Sequence, residues 1–189
     1  MRLELLAEPV GWRVRLLRKV LGVMPGRAVV MGYDPGFFGR HYTAALRQAL
    51  RGEAWGRGEL ALMAAFVSSR NQSAYGMVTH GAVAAAYLGD DKVQWMLDDY
   101  LTAPMSERLR ATMIFLEKVT LLPADVGGDD IQRLHLAGVT DQAIREALLV
   151  SFLTGILDRL AEPFGFELPP PRVRKPLAFL ARLSGYRAF

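Results

Sequence analysis

Apolar residues recur along this chain at helical spacing in segment after segment, and almost nowhere at the every-second-residue spacing of a strand. The stretch from Glu59 to His80, ELALMAAFVSSRNQSAYGMVTH, contains the longest uncharged apolar run. Between Leu60 and Val67 the run has no polar side, which suits a helix enclosed by other helices. Asn71 and Gln72 break it. Ser73 can then cap a second helix, its hydroxyl accepting from the free N–H groups of the first turn. The expectation is two antiparallel helices at the centre of the fold, one over about 59–70 and the other from Ser73 to about Leu88. Ser73, Gly76 and His80 fall on one face of the second helix, because seven residues in a straight helix return to within about 20° of the start.

The flanking segments carry the same punctuation. A basic amphipathic helix is predicted over about 12–21, with Trp12, Leu16 and Val20 on one side, ended by Met24-Pro25-Gly26. A helix from about Phe37, with Phe38, Tyr42, Ala45 and Ala49 on its face, is stopped by Gly52. His41, without a neighbouring carboxylate or second histidine, reads as a partly buried polar residue. After Gly89, the segment KVQWMLDDYL is expected to turn Val93, Trp95, Met96 and Tyr100 inward. Asp98 and Asp99 point about 100° apart on a helix and read as surface charges. Ser106 caps a helix with Leu109, Met113, Leu116 and Val119 inside and Pro123 as its stop. Two further starts lie at Asp129 and Thr140, separated by Gly138 in a left-handed turn. The tail, LPPPRVRKPLAFLARLSGYRAF, opens on a proline run that reads as non-helical. A short helix over Leu177 to Leu183 follows, with Phe179 and Leu180 docking on the parent domain or a neighbouring subunit. About eight or nine helices result, in an all-α fold.

Composition narrows the class. At 189 residues and 51% hydrophobic, the chain can bury one core and does not require two. It contains no cysteine, which excludes a disulfide framework, thiolate metal sites and any thiol mechanism within the chain. No segment reaches the roughly 20 apolar residues of a membrane span, and the charged start does not read as a signal peptide. A net charge of +4 suits a mildly basic cytoplasmic protein better than a dedicated nucleic-acid binder. A basic surface protein held on nucleic acid or membrane through its termini is a third, weaker class, whose binding would fall steeply with salt. There is no phosphate loop, no paired metal-ligand histidines and no nucleophile elbow.

The central stretch resembles the motif of the alkyl hydroperoxidase D-like and carboxymuconolactone decarboxylase superfamily: a glutamate, then Cys-x-x-Cys, then a histidine four residues on. Aligned with that motif, the two cysteines fall on Ser73 and Gly76, the histidine on His80 and the glutamate on Ala61. The second half is similar to the peroxidase-related branch. There a long helix ends in an asparagine-arginine-leucine-alanine-aspartate phrase before a glycine-phenylalanine; here it reads Asp158-Arg159-Leu160-Ala161-Glu162. With GFFGRHY near the start, the similarity spans about residues 10 to 170. The resemblance implies an alkyl hydroperoxidase D-like helical domain over 1–170; the change of composition after it reads as a basic tail with a short helix over 171–189. It also implies self-association through helical faces, with Phe115, Phe152 and Phe179 as surplus apolar surface.

For function, the resemblance implies a peroxidase-type oxidoreductase from which the catalytic cysteines and glutamate are missing. A peroxidatic cycle needs one thiolate to attack peroxide and a second thiol to resolve the sulfenic acid. The first expectation is therefore a degenerate redox site, no cofactor and no metal, with the fold retained as an oligomeric scaffold or ligand-binding protein. The alternative is a thiol-independent enzyme of the decarboxylase type, with His80 as general acid or base. Tyr75 and Met77, beside the motif, are the candidate pocket residues. The plain reading of His80 is a core histidine hydrogen-bonded to backbone.

Overall fold

A computed structural model describes residues 18, 19, 22 and 26–184. In it the run from Leu60 to Val67 is the centre of the molecule, every residue being 1% exposed or less. Nine α-helices and no strands are found among the described residues. The helix expected over 12–21 lies outside them apart from Arg18 and Lys19, which are helical.

The central pair forms as the sequence predicts. Helix α3, Arg57–Arg70, is closed at its start by Glu59, whose Oε2 accepts from the Gly56 N–H at 2.9 Å. Helix α4, Ala74–Leu88, is capped by Ser73, whose Oγ accepts from the Gly76 N–H at 3.3 Å. Gly58 lies against Tyr87, Ala65 against Gly81 and Ser68 against Gly76. Partners that descend along one helix while they ascend along the other define an antiparallel pair.

Before this pair come α1, Gly26–Tyr33, a π-helical turn over Pro35–Tyr42 and α2, Thr43–Ala49. No helix is predicted over α1, because two glycines in eight residues argue against one; burial of Val29 and Val30 supplies the stabilisation that propensity lacks. The next element starts at Pro35 rather than Phe37, with Asp34 accepting from the Phe37 N–H at 2.9 Å. The Tyr42 hydroxyl donates to the Leu153 carbonyl at 2.7 Å and anchors this segment. His41 is exposed, not partly buried.

After α4 come α5, Asp90–Asp98, α6, Glu107–Leu121, α7, Gly128–Leu136, and α8, Asp141–Ala161. Ser106 and Thr140 cap α6 and α8 as expected, and Gly138 takes its left-handed turn at φ 80°. Asp130, not Asp129, closes the start of α7 by accepting from the Gly127 N–H at 2.9 Å. Trp95 departs from expectation: it is 51% exposed. Val93 and Met96 take the inward face, and Trp95 lies about 200° from the first and 100° from the second. Tyr100 is buried beyond the end of α5, edge-on to Phe66 with ring centroids 5.0 Å apart.

Helix α8 packs against α2, α3, α4 and α6, while the final helix α9, Pro171–Ser184, lies along α4. Helix α9 is longer than predicted and includes Pro171 and Pro176. A proline in the first turn removes no intrahelical hydrogen bond, so Pro171 can open the helix. Its inner side is Ala178 and Ala181, while Phe179 and Leu180 are exposed rather than docked on their own domain. Phe115, read as surplus surface, is buried in the core. No helix among the described residues is long and apolar enough to cross a membrane.

Candidate functional site

Ser73, Gly76 and His80 share the buried side of α4, and the group that meets them comes from α8. Asp158 accepts at Oδ1 from the Ser68 hydroxyl and at Oδ2 from the Asn71 amide, both at 2.9 Å. The Ser73 hydroxyl bonds to it as well. Burial raises the pKa of this carboxyl. The hydrogen bonds from Asn71, Ser68 and Ser73 and the Arg159 charge work against that without cancelling it. Gly76 completes the cluster by having no side chain: a Cβ there would fall on Asp158 Oδ1 and Ser68 Oγ and lie 2.8 Å from Ser68 Cβ.

His80 is 9% exposed. Its ring has no hydrogen-bond partner among the described residues, the backbone included. Burial lowers its pKa to about 4, so the imidazole is neutral at pH 7. Ala61 is wholly buried on the α3 face that meets α4, in line with Ala65 and Ser68 at helical spacing. Glu59, the nearest carboxylate in sequence, is engaged in closing α3.

Tyr75 and Met77 face different ways. The Tyr75 oxygen accepts from the Gly26 N–H at 3.0 Å and its ring meets Phe166 edge-on, pinning α1 and the turn after α8 to α4. Met77 is exposed and lines a cleft of about 660 Å³ between α4, α5 and α9, with Val78, Gly81 and Leu97. A second cleft, of about 610 Å³, lies between α2, the loop after it and α8. His80 lines neither. Among the described residues no three His, Asp or Glu side chains are grouped to hold a metal ion.

Two carboxylates at work inside the molecule escaped the sequence reading. Asp158 stood in a phrase singled out for its likeness, and Glu146 in an unremarked part of the same helix. The available signal was position: Asp158 shares a side of α8 with buried Thr154 and Ala161, and Glu146 with buried Ala143 and Val150. A charge on a buried stripe needs partners, but helical spacing alone does not name them.

Solved structures with this arrangement of helices include the alkylhydroperoxidase AhpD core of an uncharacterized peroxidase-related protein from Ralstonia eutropha JMP134. It is 23% identical with a TM-score of 0.74, over 93% of each chain. An uncharacterized peroxidase-related protein from Silicibacter sp. TM1040 is also 23% identical, with a TM-score of 0.75 over 91% of this chain and 93% of that one. This chain has the alkylhydroperoxidase AhpD fold. The same fold is shared with the debrominase Bmp8, solved as a variant in complex with 2,3,4-tribromopyrrole, at 16% identity and a TM-score of 0.73 over 94% of this chain and all of that one. Neither a protein-family model nor a curated protein matches the sequence. In this version of the AhpD fold, the corner between α3 and α4 holds a carboxylate, two serines and an asparagine, and no sulfur.

Proposed function

We propose that the protein is a peroxidase-related member of the alkyl hydroperoxidase D-like superfamily whose thiol redox site is degenerate, retained as an oligomeric scaffold or ligand-binding protein. The observation that carries this reading is the fate of the second cysteine position. Gly76 has Asp158 and Ser68 packed where a Cβ would stand. The packing there is therefore built around a glycine, and a sulfur would have to displace a hydrogen-bonded carboxylate. Its motif partner Ser73 has its hydroxyl engaged with the Gly76 N–H and Asp158.

The test is peroxide consumption with a dithiol reductant. The parent protein is expected to show no turnover above the protein-free rate. Ser73→Cys with Gly76→Cys supplies both sulfurs but disturbs the Asp158 cluster, so little activity is expected. Adding Ala61→Glu restores the motif's proton acceptor, and general-base help of this kind is worth about 10²–10⁴ in rate, so the triple variant is expected to exceed the double. Turnover by the parent protein would overturn the reading.

A further inference from the structure

Helices α5 and α9 are the two walls of the cleft of about 660 Å³, with Met77, Val78, Gly81 and Ala82 of α4 as its apolar floor. Val93 and Met96 are the buried side of α5, so Asp91, Trp95 and Asp98 stand on its outer crest. Ala178 and Ala181 are the buried side of α9, and Arg172, Phe179 and Leu183 stand on the crest away from them. Trp95 is 51% and Phe179 56% exposed, and neither ring has a partner among the described residues. Two uncovered aromatic crests thus border one apolar trough.

The two walls carry opposite charge. Helix α5 has Asp90, Asp91 and Asp98 against Lys92, while α9 has Arg172, Arg174, Lys175 and Arg182 and no acid. Several of these groups are engaged within the chain. Lys175 bonds to Asp90 across the cleft at 2.7 Å, and Asp98 accepts from the Gln94 amide at 2.8 Å. Arg174 Nε donates to the Pro169 carbonyl, and Arg182 donates to the Ala86 carbonyl and lies over the Tyr87 ring. Asp99, just past α5, accepts from the Thr102 hydroxyl. The Lys175–Asp90 pair is exposed on both sides and holds weakly. With that pair counted as neutral, α5 keeps a charge of −1 and α9 one of +3. A second copy placed like on like sets the α9 cations against cations. A two-fold axis along the cleft instead sets α5 of each copy on α9 of the other, which brings opposite signs together twice and covers both aromatic crests.

We propose that this face binds a second copy of the chain through that two-fold, α5 of each copy on α9 of the other, closing the cleft between them. The interface rests on the oligomeric reading above and gives it a face. The test is analytical ultracentrifugation of the full chain carrying Phe152→Asp, so that the exposed apolar group on α8 does not contribute. A dimer is expected in this background at micromolar concentration. An α5 variant, Asp91→Lys with Asp98→Lys, and an α9 variant, Arg172→Glu with Lys175→Glu, should each raise the dimer Kd about tenfold, because two-fold symmetry repeats every like-charge contact. Mixed in equal amounts, the two variants should associate as tightly as the chain with Phe152→Asp alone, since each mixed dimer again sets opposite signs together at both contacts. Compensation within one chain cannot give that result. Arg133→Glu, on α7, should leave the Kd unchanged. All the substituted side chains are exposed, and unchanged circular dichroism checks that the variants fold. Failure of the mixture to restore association, an equal loss in Arg133→Glu, or a monomeric Phe152→Asp chain while the parent associates would overturn this face alone. A monomeric parent overturns the oligomeric reading with it. Pelleting with phosphatidylglycerol vesicles that is lost in the α9 variant, in place of self-association, would give the α9 crest to a lipid surface and overturn the proposal.

Discussion

At the scale of single residues, His80 and Gly76 carry the sharpest consequences. The folded pKa of His80, about 4, lies below its unfolded value of roughly 6.5. The unfolded chain therefore takes up the proton first, and stability that is full above pH 6.5 is lost as pH falls toward 4. The difference corresponds to about 3 kcal/mol. Asp158 has the opposite sign, since a raised carboxyl pKa favours the fold at low pH and withdraws that contribution as pH rises through the folded value. Urea midpoints between pH 7 and pH 4.5 should fall steeply in the parent and much less in His80→Leu. Equal slopes would mean that His80 is not the group responsible. Gly76→Ala tests the packing directly. Alanine is about 1 kcal/mol better than glycine in a helix, but its Cβ has to push aside Asp158 and Ser68, and overpacking of this kind costs about 1–3 kcal/mol. A lower melting temperature is expected; a higher one would show that the cluster yields at no cost.

At the scale of elements, the loop after α2 is held by one side chain of α8. Three successive N–H groups converge on Glu146, as do those of a helix start on its cap. Burial opposes the Glu146 charge, and the bonds from Ala54, Gln142, Glu53 and Trp55 outweigh it, so its pKa ends below the usual value. Glu146→Gln keeps the shape and removes the charge. It should cost about 1–3 kcal/mol, the range for a lost charged hydrogen-bond partner, and speed hydrogen exchange at the amides of Glu53, Ala54 and Trp55. Unaltered exchange there would argue that the loop is held by Trp55 and Arg108 instead. Helix starts were legible in advance at Ser73, Ser106 and Thr140, because a cap is a local hydrogen bond between neighbours in sequence. The bond from the Glu53 N–H to Glu146 spans 93 positions, and nothing local announces it.

At the scale of the whole molecule, some of the exposed apolar residues fall into two groups on helix faces. Leu148, Leu149 and Phe152 stand together on α8, with Phe152 66% exposed, and Phe179, Leu180 and Leu183 form a ridge on α9. Faces of this kind mark association surfaces. The protein is expected to self-associate at micromolar concentration, and Phe152→Asp to lower the mass measured by light scattering. A monomeric parent would contradict this. Residual association in Phe152→Asp would shift attention to the α9 ridge.

What the sequence by itself determined is most of the helices and the identity of the central one, because periodicity, caps and stops are local properties; the helix over Gly26–Tyr33 was not among them, since burial rather than propensity holds it. It also determined that no thiol chemistry can occur within the chain, since composition is independent of folding. Only the tertiary structure decided what stands at the motif positions. Ser68 and Asn71 lie 90 and 87 residues from Asp158, and their meeting depends on how α8 crosses α3. The same packing turned Trp95 outward, filled the space beside Gly76 and left Met77 and Tyr75 on different sides of α4. Helical spacing says which residues share a face; only packing says what that face meets.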